Sequence, residues 1–338
     1  MDGKHKVAIA VNRAMARSIF RPEDLGFLSD FARVNDVEAL PETMTAEFMR
    51  GLLTGAEACI TCWGTPPFTE ELLRHAGDLR LIAHAAGSVK NLVPASFWGS
   101  SCRITSNAPV IAEDVAQTVL ALILSSLKGL WGFAGSTRAG RWAGGEKSFV
   151  PMRRLDGLQV GVVGASLVGR EVIKILRPFG CTFALYDPYV SPIEAASLRA
   201  VPMRIEELLS TSDVVTLHAP PNEDCRHLIN GDTAPLLKDG SLFINTARGM
   251  LVEEEALIRE LKTGRLFACI DVTDPEPPAP DHPFRTLENV VLTPHVAGGH
   301  TVNGRRMLGA NSIAEVYNYL TKGTLRHEFR PEMVRHMA

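Results

Sequence analysis

Short apolar runs recur along the chain, and each ends in a polar residue, glycine or proline. In the first third these are "KVAIAV" (6–11), "EACITC" (57–62) and "LRLIAHAA" (79–86), which read as buried strands. Helical patterns lie between them, around 23–32, 43–53 and 69–75. Repeated alternation of strand and helix predicts a parallel sheet covered by helices. A second series begins near 157: "LQVGVVG" (158–164), "TFALYD" (182–187), "VVTLHA" (214–219), "LFINTA" (242–247), "LFACIDV" (266–272) and "NVVLTP" (289–294). Helical patterns fill most of its gaps, clearest in "EEEALIRELKTG" (253–264), where Gly264 is suited to close the helix. Such a series makes one doubly wound sheet, so the fold class is α/β with two parallel-sheet domains.

Three further segments complete the pattern. "VAQTVLALILSSL" (115–127) is the most apolar stretch, but it carries Gln117, Thr118, Ser125 and Ser126. It is too short to span a bilayer and reads as a buried helix. The glycine-rich "GLWGFAGSTRAGRWAGG" (129–145) reads as a loop. Near the end, Ile313, Val316, Tyr317 and Leu320 stand at helical spacing, in a segment expected to pack back on the first domain.

Composition narrows the function classes. The chain has 338 residues, 46% of them hydrophobic, enough for two domains. Its 35 basic and 38 acidic residues are interspersed, so neither a nucleic-acid surface nor an anionic-membrane surface is indicated. "MDGKHKVAIAVN" lacks the layout of a signal peptide, so the six scattered cysteines read as free thiols of a cytoplasmic protein. Cys59 and Cys62 form a C-x-x-C, yet residues three apart in a strand face opposite ways, and no second pair follows. No metal site is expected.

The first strand–helix turn of the second series holds Gly164, Ser166 and Gly169, a G-x-G-x-x-G fingerprint with serine in the middle. Serine adds some crowding where a pyrophosphate approaches, while the helix N-terminus behind it still offers free N–H groups. By itself such a turn is weak evidence. Asp187, at the end of the next strand, strengthens it: a carboxylate there can accept both ribose hydroxyls and would repel a 2′-phosphate. NAD is therefore favoured over NADP.

Arg248, Glu276 and His295 fall at the carboxyl ends of three separate strands of this series. Singly, Arg248 reads as a surface salt-bridge partner, Glu276 as a solvated turn residue and His295 as a helix-cap or packing histidine. Together, beside a dinucleotide turn, they suit hydride transfer at a carbonyl. Imidazole titrates near neutrality and can supply the proton. A neighbouring carboxylate stabilises the protonated ring, and the prolines on both sides of Glu276 would hold it in reach of His295. Arg248 offers a planar fork of donors to a substrate carboxylate and carbonyl oxygen.

On "GVVGASLVG", "YDPY", "HAPPNEDCRHLIN", "LFINTARGMLVEEEAL", "DVTDPEPP" and "NVVLTPHVAGG", the chain resembles the D-isomer-specific 2-hydroxyacid dehydrogenases across nearly its whole length. The resemblance implies a flavodoxin-like substrate domain built from both chain ends (1–107 and 299–338) and an inserted Rossmann domain (108–298). It implies NAD contacts at Gly164, Ser166, Leu167, Val168, Gly169, Asp187, His218, Ala219, Pro220, Thr246, Ala247, Asp271, His295 and Gly298, with Asp271 near the nicotinamide carboxamide. Ala86, Gly87 and Ser88, in "AHAAGSV", match the loop whose amides hold the substrate carboxylate, together with Arg248. It implies a homodimer, formed through the helix near 112–127 and the arm after it, and closure of the domains over substrate. The regulatory domain that some phosphoglycerate dehydrogenases append is expected to be absent.

Several positions depart from the family pattern. Besides Ser166, Asn222 and Cys225 replace common threonines, and Lys90 and Asn91 stand where an acidic residue is common. Side-chain specificity is expected near Trp63 and Ser88. The leading expectation is an NAD-dependent enzyme interconverting a 2-oxo acid and a D-2-hydroxy acid. The alternative is a non-catalytic NAD sensor resembling the C-terminal-binding corepressors.

Overall fold

A computed structural model describes residues 4–142 and 151–336. The chain divides into two compact units: residues up to Ile111 together with those from Gly299 onward, and Ala112–Gly298.

The first unit is built on β1 (His5–Ile9), β2 (Ala32–Val34), β3 (Ala58–Thr61), β4 (Leu81–His84) and β5 (Arg103–Ser106). They form one sheet in the order β2-β1-β3-β4-β5, all parallel. β3 and β4 are buried throughout, as strands covered by helices on both faces must be. The closing helix Val302–Lys322 buries Leu308, Ile313 and Val316 in this unit's core. Gly309 lets it approach closely, since a Cβ there would lie 2.1 Å from the Ile19 carbonyl oxygen.

The second unit carries β6 (Gln159–Val163), β7 (Thr182–Tyr186), β8 (Val201–Pro202), β9 (Val214–Leu217), β10 (Leu242–Asn245), β11 (Phe267–Ile270) and β12 (Val290–Leu292). Its order is β12-β11-β10-β9-β6-β7-β8, again wholly parallel. The order reverses at β6, the switch point where such sheets bind ligands. Helix Leu167–Leu176 packs Val172, Ile173 and Leu176 inward. Each contributes roughly 1.5–3 kcal/mol by burial.

Two readings of the middle segment need correction. The glycine-rich stretch is helical over Leu130–Arg138; positions 143–145 lie outside the described residues. Its left-handed glycines, Gly129 (φ 64°) and Gly140 (φ 84°), bound this helix, while Gly132 and Gly135 lie inside it. The apolar helix runs Ala108–Leu127, and at 20 residues it is long and apolar enough to cross a bilayer by length and composition. Shortness is thus no argument against a span; half of its apolar window is buried within the protein.

Candidate active site

The ladder register of the second sheet aligns Val163, Leu217, Asn245, Ile270 and Leu292 in one row. The next residues, Gly164, His218, Thr246, Asp271 and Thr293, therefore follow one another along the carboxyl edge. Gly164 adopts φ 98°, and a Cβ there would lie 2.6 Å from the Ala219 nitrogen. A Cβ on Gly169 would lie 2.1 Å from the Gly164 carbonyl oxygen, so both positions exclude a side chain. Ser166 has φ −61°, ordinary extended backbone, and its hydroxyl caps the helix by accepting from the Gly169 amide at 3.4 Å. The replacement of glycine at this position therefore creates no backbone strain. Leu167 and Val168 form the first turn, where amides have no intrahelical acceptor.

Asp187 accepts from the Ala165 amide at 2.8 Å and from the Tyr189 amide at 2.9 Å. Its carboxylate ties the glycine turn to the end of β7 and retains lone pairs for further donors. His218 is buried and bonds through Nε2 to Thr216 Oγ1 at 2.9 Å. Burial holds its pKa down at about 3, so the ring is neutral. His218 Nδ1 and Thr246 Oγ1 are buried polar atoms with no protein partner. Ala219 and Ala247 are buried beside them, Pro220 is partly exposed, and Gly298 closes this unit.

The three candidate catalytic side chains are held by neighbouring loops of this edge. His295 Nδ1 lies 2.8 Å from Glu276 Oε2. The Thr273 amide donates to the other Glu276 oxygen at 3.2 Å, and the Thr273 hydroxyl donates to the Pro275 carbonyl at 2.9 Å. The peptide bonds Asp274–Pro275 and Glu276–Pro277 are both cis. His295 itself takes φ 54°, the left-handed region, in a turn clamped by Asp271. The Asp271 carboxylate accepts from Thr293 Oγ1 (2.5 Å), the Val296 amide (3.0 Å) and the Ala297 amide (2.9 Å). The Asp271 carbonyl accepts from the His295 amide at 2.8 Å. Asp271 thus engages three donors of the His295 turn with its side chain.

Arg248 is partly buried, and its Nη1 donates to the Ala247 carbonyl at 2.6 Å. Burial pushes its pKa down and the charge of Glu276 pushes it back up, so the two groups share one field. Gly249 brings its turn onto the Glu276 loop, for a Cβ there would lie 2.1 Å from the Thr273 carbonyl carbon. Asn245 fixes the same turn by accepting from the Ala247 amide and donating to the Arg248 carbonyl, both at 3.0 Å.

In the first unit, Thr61, His84 and Ser106 share a row at the carboxyl edge. His84 Nδ1 meets Thr61 Oγ1 at 2.9 Å. Burial holds the His84 pKa down at about 4, against a weaker upward pull from a backbone hydrogen bond at Ser88. The Ala86–Ser88 turn follows. The Asn107 amide donates to the Ala86 carbonyl at 3.0 Å, and the Ser106 hydroxyl donates to the Gly87 carbonyl at 2.5 Å. With these carbonyls engaged, the turn is fixed by its oxygen side. Trp63 belongs to this unit, its ring packed on Gly299, where a Cβ would lie 2.5 Å from it. Cys59 and Cys62 are both buried, and burial raises both thiols, Cys62 to about 12. They are inert packing residues.

The second unit therefore gathers Arg248, Glu276, His295 and the nucleotide-turn residues at one sheet edge, while Ala86, Gly87 and Ser88 belong to the first. Asn245, Thr293 and Glu254 are further supports that the motifs did not single out. Asn245 and Thr293 leave a trace in the sequence: each is a polar residue ending an apolar strand, in "INTARG" and "LTPH".

Comparison with known proteins accords with this geometry. Residues 120–297 match the family model described as D-isomer specific 2-hydroxyacid dehydrogenase, NAD binding domain. The chain is 29% identical over 259 residues to a hydroxypyruvate reductase of Thermotoga maritima, covering 75% of this chain and 81% of that protein. It is 30% identical over 285 residues to a D-3-phosphoglycerate dehydrogenase of Methanocaldococcus jannaschii, covering 83% of this chain but only 53% of that longer protein. A crystal structure of a Thermus thermophilus protein superposes with a TM-score of 0.75 at 27% identity, covering 93% of this chain and 96% of that one. The chain belongs to the D-isomer-specific 2-hydroxyacid dehydrogenase family. It is an NAD-dependent oxidoreductase of that class. The residues present fit the cofactor: a turn with two glycines that exclude side chains at a helix N-terminus, an acid at the end of the next strand, and two orphaned polar atoms at the same edge.

Proposed function

We propose that the chain reduces a 2-oxo acid to a D-2-hydroxy acid, and catalyses the reverse oxidation, with His295 as acid/base and Arg248 as substrate anchor. Bound NADH supplies the hydride. His295 gives a proton to the carbonyl oxygen during reduction and takes one from the hydroxyl during oxidation. With Nδ1 engaged by Glu276, the free Nε2 is the nitrogen left to exchange that proton. Arg248 draws the substrate carboxylate and carbonyl oxygen by charge and by its paired N–H groups. The amides of Ala86, Gly87 and Ser88 are proposed for the substrate carboxylate. Gly164, Ser166, Leu167, Val168 and Gly169 are proposed for the pyrophosphate, Asp187 for the adenosine ribose, and His218, Ala219, Pro220, Thr246, Ala247, Asp271, His295 and Gly298 for the remaining cofactor contacts.

The observation that carries this reading is the 2.8 Å pairing of His295 with Glu276 beside Arg248. The test is NADH oxidation with glyoxylate, hydroxypyruvate, pyruvate and bulkier 2-oxo acids, repeated with NADPH. Turnover of at least one acid with NADH is expected. Tight NADH binding without turnover on any of them would instead establish a sensor. A cytoplasmic homodimer is part of the proposal, supported by six free thiols and by Leu130, Trp131 and Trp142, which leave apolar surface exposed on the segment after the long helix.

A further inference from the structure

Behind the catalytic loop lies a second carboxylate–imidazole pair that the reaction above does not use. Glu254 opens the helix Glu254–Lys262, and its Oε2 lies 2.9 Å from His282 Nε2. Both side chains are largely buried, at 12% and 17% exposure. The Phe284 amide donates to His282 Nδ1 at 3.3 Å, which leaves Nε2 carrying the proton donated to Glu254. The second Glu254 oxygen accepts from the Asp274 amide at 3.0 Å.

That amide belongs to the Thr273–Asp274 peptide, which lies between the Arg248 turn and the Glu276 loop. Gly249, next to Arg248, packs on it so closely that a Cβ would lie 2.1 Å from the Thr273 carbonyl carbon. One residue back, the Thr273 amide donates to Glu276, and Glu276 in turn meets His295. Consecutive amides thus point at two carboxylates: Thr273 toward Glu276, Asp274 toward Glu254. A neutral side chain would anchor the peptide more weakly, because hydrogen bonds to an ionised acceptor are roughly twice as strong.

We propose that Glu254, held by His282, is a positioning residue that fixes the Thr273–Asp274 peptide and so aims Glu276 at His295. This rests on the reading of Glu276 and His295 given above. Glu254 touches neither reacting atoms nor cofactor, and its contribution passes through Glu276.

A double-mutant cycle on the full chain, with NADH and glyoxylate (or the best 2-oxo acid of the panel), tests it. Glu254→Ala is expected to lower kcat about tenfold or more while KM for NADH stays within about twofold. Glu254→Gln, which keeps an acceptor for Asp274, is expected to retain more activity than Glu254→Ala. In a Glu276→Ala background, Glu254→Ala should change kcat by less than about twofold, because the residue it aims is gone. An equal loss in both backgrounds would mean that Glu254 merely supports the fold, and the proposal fails. If Glu276→Ala alone leaves kcat unchanged, the acid/base reading itself fails, and this proposal with it. Should Glu254→Ala not fold, as judged by circular dichroism and NADH binding, Glu254→Gln completes the same cycle with the same criterion.

Discussion

The two parallel sheets support their carboxyl edges with opposite chemistry. In the first unit, the turn Ala86–Ser88 is held by neutral groups: Asn107, Ser106, and a buried His84 bonded to Thr61. In the second, Asn245 holds the Arg248 turn, but the loops carrying Glu276 and His295 are held by carboxylates: Asp271 on the His295 turn, Glu254 on the Glu276 loop. A turn that offers only backbone amides is an unvarying partial charge, and neutral supports suffice for it. A loop whose side chain must gain and lose a proton feels its own charge change, and charged acceptors hold it more firmly. The histidines divide by task rather than by unit: His84 of the first unit and His218 of the second are both buried and kept neutral, whereas His295 is about half exposed and paired with an acid.

The largest effect expected is at His295, the residue proposed for proton transfer. His295→Ala should lower kcat by about 100-fold to 10,000-fold and leave NADH affinity nearly unchanged. Steady-state rates together with a fluorescence titration of NADH would show both. Lost NADH binding with turnover per bound cofactor preserved would assign His295 to the cofactor and break the contrast at its centre.

Asp271→Asn comes next and separates two roles for one carboxylate. An asparagine must point an N–H₂ group at a donor that Asp271 now accepts from, either the Ala297 amide or the Val296 and Thr293 pair. The His295 turn would loosen, and kcat should fall about 10-fold to 100-fold, with a smaller change in KM for NADH. If KM for NADH rises steeply while kcat holds, the carboxylate serves the cofactor rather than the turn.

Much of this contrast was legible in the sequence, and the remainder was hidden for definite reasons. The central strands of the second series, and β1, β3 and β4 of the first, announced themselves because central parallel strands are apolar on both faces. The edge strands β2, β5 and β8 are short and broken by Arg33, by Arg103 and Ser106, and by Pro202, so they lack the unbroken apolar run that marked the others. Glycine-rich composition concealed the helix Leu130–Arg138, since composition does not tell which glycines take positive φ. Arg248, Glu276 and His295 stood out because each follows an apolar run. Glu254 did not, because "EEEAL" reads as an ordinary acidic helix start. The clamp by Asp271 needs the ladder between β11 and β12 before Thr293, Val296 and Ala297 can be seen to converge on it.

Asp187 sharpens the comparison on the cofactor side, where a charged acceptor again supports a turn. Its oxygens hold the Ala165 and Tyr189 amides while retaining lone pairs for a ligand. Asp187→Ala should weaken NADH about tenfold, one lost charged hydrogen bond's worth, and narrow the gap to NADPH by removing repulsion of a 2′-phosphate. Isothermal titration with both dinucleotides measures this, and an unchanged preference would remove Asp187 from cofactor discrimination.

The smallest effect tests the neutral side of the contrast through stability. The His84 ring ionises near its ordinary 6.5 when the chain is unfolded, but only near about 4 in the buried folded site. Between those values the unfolded chain binds the extra proton, so stability falls as pH drops below 6.5 and the loss is complete only below the folded value. From pH 7 to pH 5.5 the loss assigned to this ring is about 1 kcal/mol. His84→Gln has no titrating ring to protonate on unfolding, so its urea midpoint should fall less than that of the natural chain over the same interval. His218, depressed still further in the second unit, contributes the same sign to both proteins and cancels in the comparison. Equal pH slopes in the two proteins would mean that His84 takes up its proton as readily folded as unfolded, and that the edge carrying the Ala86–Ser88 turn is not the neutral scaffold described above.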